Sequence, residues 1–134
     1  MSKRQPLESS IENAFVERAV YLGAITRKLN GLGYVSWPDR WVLPPGRRNL
    51  DYLIEFKRPG EKPTKLQASL HLELADRGLD TFVFDSWQAA LDHYVARTNI
   101  GLTPLQKDRL YQRLAEVKSG KYKAKKKKPA AYVR

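Results

Sequence analysis

Trp37-Pro38-Asp39-Arg40-Trp41-Val42-Leu43, then Tyr52-Leu53-Ile54-Glu55-Phe56-Lys57, then Thr64-Lys65-Leu66-Gln67: the order of these three pieces decides the fold. The second piece reads as a strand, because β-branched and aromatic residues dominate it and Pro59-Gly60 closes it. Side chains alternate across a strand, so Leu53, Glu55 and Lys57 share one face and Tyr52, Ile54 and Phe56 the other. An acid and a lysine two apart on an otherwise apolar strand need partners, since burying an unpaired charge is costly. A hard divalent cation held by Asp39 and Glu55 supplies one. Two carboxylates around such an ion, with an ammonium beside them, form a device for hydrolysing phosphodiesters.

Upstream, the residue before Pro38 is pushed toward extended geometry, and Arg40–Leu43 follows as a strand. Pro44-Pro45-Gly46-Arg47-Arg48-Asn49 turns the chain back, which predicts an antiparallel hairpin between 40–43 and 51–57. Arg47 and Arg48 sit at its tip, either as phosphate contacts or as an ordinary solvated turn. Asp51 shares the Glu55 face but lies about 13 Å away at ~3.3 Å per residue, too far to bind the same ion. Downstream, Thr64 caps a helix running to about Arg77, before Gly78. Residues 80–85 form a strand whose near-continuous apolar character predicts burial on both faces. A strand, a helix and a strand predict a right-handed crossover, with 80–85 parallel to 51–57.

The remaining elements flank this centre. Ser9 or Ser10 opens a first helix with Ile11, Ala14, Phe15, Ala19 and Leu22 as its apolar face and Gly23 as its stop. Residues 25–29 form a short strand, and Asn30-Gly31-Leu32-Gly33 a turn. Ser86 caps a helix through about Ala96. Thr103-Pro104-Leu105-Gln106 starts a last helix to about Lys118, with a stripe of Leu110, Tyr111, Leu114 and Val117. That stripe packs on the core by default; a partner helix or second subunit is the alternative. The expected architecture is α/β, a mixed sheet of about four strands flanked by helices. Its divisions are a core over 8–96, a helical extension over 97–118 and a basic tail over 119–134.

Composition narrows the chemistry. A chain of 134 residues, 42% hydrophobic and 29% charged, is one soluble domain that needs no staples. With no cysteine, neither a disulfide framework nor a thiolate zinc site arises. His71 and His93 are too far apart in sequence for a ligand pair, which disfavours nucleases built on paired histidines and zinc. His71, alone among Leu70, Leu72 and Leu74, reads as structural. No apolar leader and no run of ~18 apolar residues appears, so the expectation is no membrane partner and a chain that stays where it is made. Net charge is +11, and between Ser119 and Arg134 lie seven Lys or Arg and no acid, which leaves +4 for the first 118 residues. Such a tail binds polyanions through counterion release, or else only solubilises the chain and stays disordered until it meets a partner.

Taken in order and with these spacings, Pro38-Asp39, Glu55-Phe56-Lys57 and Gln67 resemble the PD-(D/E)XK nuclease superfamily. Trp37 to Leu43, Glu55-Phe56-Lys57-Arg58-Pro59-Gly60 and Thr64-Lys65-Leu66-Gln67 are similar to its VRR-NUC branch, over about Glu8 to His93. The resemblance implies a restriction-endonuclease-like core and DNA hydrolysis with Mg²⁺ or Mn²⁺ held by Asp39, Glu55 and the backbone carbonyl of Phe56. Lys57 would position the attacking water or stabilise charge on the phosphate. Glu12 has two readings: a capping box with Ser9, or a further carboxylate at the site. Gln67 likewise has two: a capping box with Thr64, or a reach into the active site. The resemblance favours the site in both cases, whereas Glu8 and Glu17 read as solvated. One departure stands at Ser36, where relatives usually carry a small residue, often glycine; the bulky Trp37 after it either faces substrate or packs.

Free-standing domains of this kind imply a structure-specific endonuclease for branched DNA, Holliday junctions included. They also imply a homodimer, because a symmetric junction needs two cuts. The implied setting is the cytoplasm of a bacterial or phage-infected cell. A rival from another class is a non-catalytic nucleic-acid-binding protein on a degraded nuclease fold; the intact Asp39, Glu55 and Lys57 argue against it. A sequence-specific restriction enzyme lacks a visible recognition domain.

Overall fold

The computed structural model describes residues 7–29, 36–46 and 48–122. Their order is α1 (Glu8–Tyr21), β1 (Ile25–Lys28), β2 (Arg40–Leu43), β3 (Tyr52–Phe56), α2 (Lys65–Asp76), β4 (Thr81–Phe84), α3 (Trp87–Ile100) and α4 (Pro104–Ser119). The strands line up as β1-β2-β3-β4 in one mixed sheet. β1 with β2 and β2 with β3 are antiparallel, and β3 with β4 is parallel across the α2 crossover. Arg40 stands opposite Ile54, and Glu55 opposite Val83. The β2–β3 turn is fixed by close approach: Gly46 has φ 112°, and a Cβ there would come within 2.7 Å of the Gly101 carbonyl oxygen. Only glycine accepts both conditions.

β3 is the centre of the molecule, with all five residues buried. Tyr52, Ile54 and Phe56 enter one core cluster with Ile11, Phe15 and Ala19 of α1 and Ala90, Leu91 and Tyr94 of α3. Leu110 and Leu114 of α4 join the same cluster. The Phe15 and Phe56 ring centroids are 5.6 Å apart. Trimming either ring to alanine removes about 3–5 kcal/mol, the usual cost of a phenylalanine-sized void. The alternation read from the sequence therefore places one face of β3 in the core and turns Glu55 and Lys57 away from it.

Several expectations are corrected. α1 starts at Glu8 with Leu7 as N-cap and no side-chain cap bond, so Ser9 lies inside the first turn and its capping box with Glu12 does not form. β4 is not covered on both faces: it is an edge strand, and Val83 is 36% exposed. Phe82 and Phe84 pack against the core from one face of the strand, while Val83 on the other face is left partly open. α3 continues past Ala96 to Ile100, with Gly101 at its C-cap, so the division expected after residue 96 falls inside a helix. In the α4 stripe Tyr111 turns outward and donates to Asn99 Oδ1 at 3.1 Å. No helix among the described residues is long and apolar enough to cross a membrane. The turn at 30–33, Arg47 and the tail beyond Tyr122 lie outside the described residues.

Candidate active site

Asp39 lies just before β2 and is tied to both residues that flank Glu55. Its backbone N–H donates to the Ile54 carbonyl at 3.0 Å, and its Oδ2 accepts from the Phe56 N–H at 2.7 Å. These bonds hold Asp39 at the end of the β2–β3 ladder beside the backbone of Glu55, near enough for its charge to act on the Glu55 carboxyl. Phe56, whose carbonyl was the expected contribution, also supplies the amide that orients Asp39.

Glu55 Oε2 has two partners: Lys57 Nζ at 3.4 Å and Gln67 Nε2 at 3.3 Å. Its other oxygen, Oε1, is buried with no hydrogen-bond partner among the described residues. Both side chains of the ion pair are nearly enclosed, Lys57 at 11% and Glu55 at 4% exposure. Burial and then the neighbouring Asp39 push the Glu55 carboxyl up to about 7, against the pull of Lys57. Asp39 is also raised, by burial first and by Glu12 and Glu8, while the Phe56 amide works the other way. Two buried acids with raised pKa values, one of them opposed by the other's charge and carrying an unbonded buried oxygen, leave a local deficit of positive charge. A divalent cation fits that deficit. Among the described residues no cluster of three or more His, Cys, Asp or Glu is present, so an ion held here would have two carboxylates, with backbone oxygen and water to complete its shell. That composition matches a hard, water-retaining ion such as Mg²⁺.

The competition between the two readings of Gln67 dissolves. Its Oε1 accepts from the Thr64 N–H at 2.9 Å and its own N–H donates to Thr64 Oγ1 at 3.1 Å, a complete capping box. The amide nitrogen of the same side chain is left to bond Glu55. An amide has an acceptor end and a donor end, and here each end has its own partner.

Glu12 is buried, and its Oε2 accepts from Arg40 Nε at 2.6 Å; Arg40 also donates to Thr26 Oγ1 at 3.1 Å. This pair clamps the start of α1 to β1 and β2. Its carboxylate still adds to the negative potential on Asp39. Glu8, one turn earlier, is only half-buried, yet its charge raises both Asp39 and Glu55. The i,i+4 spacing of Glu8 with Glu12 puts both acids on one helix face. His71, one turn past Gln67, has a buried Nε2 without a partner among the described residues, and burial followed by the charge of Lys57 lowers its pKa. Asp51 is used elsewhere, accepting from Trp41 Nε1 at 2.8 Å. Ser36 has φ 74°, unique to it among the described non-glycine residues, a backbone conformation that favours glycine.

No family sequence model matches the chain. Over 79 residues, 59% of this chain and 83% of the relative, it is 37% identical to a protein of Acyrthosiphon pisum secondary endosymbiont phage 1 named "Putative nuclease p44". Among solved structures it is similar to a VRR_NUC domain, with TM-score 0.57 and 29% identity, across 66% of this chain and 94% of that one.

Proposed function

We propose, from the premise that this chain belongs to the VRR-NUC family, that it is a divalent-metal-dependent nuclease hydrolysing DNA phosphodiesters, preferentially in branched DNA. The observation that carries this reading is the double tie of Asp39 to the residues beside Glu55, with Lys57 on the same carboxylate. Asp39, Glu55 and the Phe56 carbonyl would hold Mg²⁺ or Mn²⁺. When bound, such an ion makes one of its waters easier to deprotonate and offsets charge on a phosphoryl oxygen.

The remaining work belongs to the chain. Lys57, steered by Glu55, stabilises the charge that grows on the phosphate in the transition state. Gln67 holds Glu55 Oε2 and so fixes the rotamer that leaves Oε1 to the ion. Glu8 is the α1 carboxylate we assign to the outer shell, because Glu12 is committed to Arg40. The Arg40–Glu12 pair positions α1 for that task.

A homodimer suits a four-way junction, which presents two equivalent scissile phosphates. The lysine-rich segment after Tyr122 adds a sequence-independent DNA contact. Its root is fixed: Tyr122 lies 4.7 Å from the Tyr21 ring centroid, and its hydroxyl donates to the Glu17 carbonyl at 3.0 Å.

Incubating four-way junctions, forks and linear duplex with the protein in Mn²⁺ or EDTA tests the reading. Metal-dependent cuts, strongest on branched substrates and lost in Lys57→Ala, are expected. Tight binding with no cut in any metal would instead establish a non-catalytic binder.

A further inference from the structure

Beside the carboxylate site lies a cleft that the proposed hydrolysis does not use. It has a volume of about 190 Å³ and is lined by Ser36, Trp37, Leu66, Ser69, Leu70 and Glu73. Its position follows from helix geometry. On α2, Leu66, Ser69, Leu70 and Glu73 follow the i, i+3, i+4, i+7 pattern of one face, while Gln67, His71 and Leu74 form the adjoining stripe. Gln67 reaches Glu55, so the cleft and the carboxylates share α2 as a common wall. The opposite wall is Trp37, two residues before Asp39.

The chemistry of the lining is selective. An indole and two leucines offer an aromatic and apolar surface, and Leu66 is 62% exposed. The polar groups are two hydroxyls, Ser36 and Ser69, and a carboxylate, Glu73, which also pairs with Arg77 at 3.7 Å on the exposed side of α2. A carboxylate repels a phosphodiester but accepts from the exocyclic amino and ring N–H groups of a base. The approach to Trp37 is also held in an unusual conformation, Ser36 at φ 74°, and strain of this kind concentrates at binding sites.

We infer that this cleft takes an unpaired nucleobase from the nucleotide next to the scissile phosphate, stacked on Trp37 with its amino edge toward Glu73. The inference rests on the nuclease reading of the adjoining site and narrows its substrate to DNA with an unstacked nucleotide at the branch. A base inside a duplex must first be unpaired and unstacked, whereas an unpaired nucleotide at a fork or flap is already available. Selection for branches then arises without any reading of sequence.

The test is binding in EDTA, where nothing is cut, to a fork carrying 2-aminopurine as the unpaired nucleotide at the branch, with fully paired duplex as reference. The fluorescence should quench on binding. Trp37→Ala should abolish the quench and weaken the fork about tenfold, with duplex affinity unchanged and Trp37→Phe restoring most of the loss. Glu73→Gln, on an exposed side chain that leaves the fold undisturbed, should reduce the preference for cytosine over thymine at that position. Equal fork binding by Trp37→Ala and wild type, or the same loss on duplex, overturns the inference. So does a Trp37→Ala protein whose only change is its sedimentation, which would make the cleft a contact between copies. Cutting in Mn²⁺ is scored separately. A Trp37-dependent quench without any cutting overturns the nuclease reading and supports the cleft, and cutting that ignores Trp37 does the reverse.

Discussion

α2 and α4 begin with the same local device. Thr64-Lys65-Leu66-Gln67 and Thr103-Pro104-Leu105-Gln106 both form complete capping boxes, with nearly identical bonds: 2.9 and 3.1 Å in the first, 2.9 and 3.2 Å in the second. Both glutamines use the carbonyl end of the amide for the cap. They differ in their surroundings: the nitrogen end of Gln67 reaches Glu55, whereas Gln106 lines a surface cleft with Arg109 and Arg113. Like local sequence gives like local structure, and only the placement of the helix brings one of the two glutamines to Glu55.

The largest effect should come from the carboxylate that Gln67 serves. Glu55→Gln is expected to reduce metal-dependent cutting about 10²–10³-fold, without lowering the melting temperature of the metal-free protein at pH 8. The stability half follows from the raised pKa. Protonation favours the fold below the ordinary glutamate value of 4.5, and that contribution is lost as pH rises through about 7. At pH 8 the wild type therefore carries a buried charge that the variant lacks. A clear drop in melting temperature would show Glu55 to be a structural residue.

Next in size is the direct contrast. Gln67→Ala and Gln106→Ala should each lower stability by about 0.3–1 kcal/mol, the scale of a lost capping element. Only Gln67→Ala should also slow cutting, by about tenfold, the scale of one hydrogen bond to a charged group. Gln67→Glu sharpens the point, since it keeps the cap acceptor but replaces the donor with a second negative charge beside Glu55. It should cut more slowly than Gln67→Ala. Equal rates for the Gln67 and Gln106 variants would remove Gln67 from the site.

A pH series separates site from core. Apparent Mn²⁺ affinity should weaken as pH falls below about 7, because the cation must displace a proton from the Asp39–Glu55 pair. Isothermal titration between pH 6 and 8 measures it, and a flat profile would remove Glu55 from the ligand set. The smallest effect concerns His93, packed against Tyr52, Phe82 and Phe84, with its pKa lowered by burial and then by Arg97. It folds neutral, so stability should decline as pH falls below about 6.5, by less than ~1.4 kcal/mol per pH unit for one proton. Denaturant melts of His93→Phe should show a shallower decline.

Much of this molecule was legible in its residues. The alternation in 52–57 separated core from site, Pro44-Pro45-Gly46 gave the hairpin, and strand–helix–strand gave the parallel β3–β4 pair. Asp39, Glu55, Lys57 and Gln67 were visible as an ordered set, and the tertiary structure brings them together. The influence of Glu8 on Asp39 and Glu55 was missed because nothing local to a half-exposed acid in a first turn marks which charges it acts on. The exposure of Val83 was missed because apolar runs suit buried and edge strands alike.

What the sequence determined by itself was set by short-range rules: the period of the strands, the caps of α2 and α4, and the chemical types placed along the chain. These depend on neighbours a few residues away, and the backbone enforces them wherever the segment ends up. What only the tertiary structure decided was which groups share a few ångströms of poorly solvated space. That space sets Glu12 on Arg40 and one glutamine rather than the other on Glu55. Through burial, it also sets the charge the site carries near neutral pH.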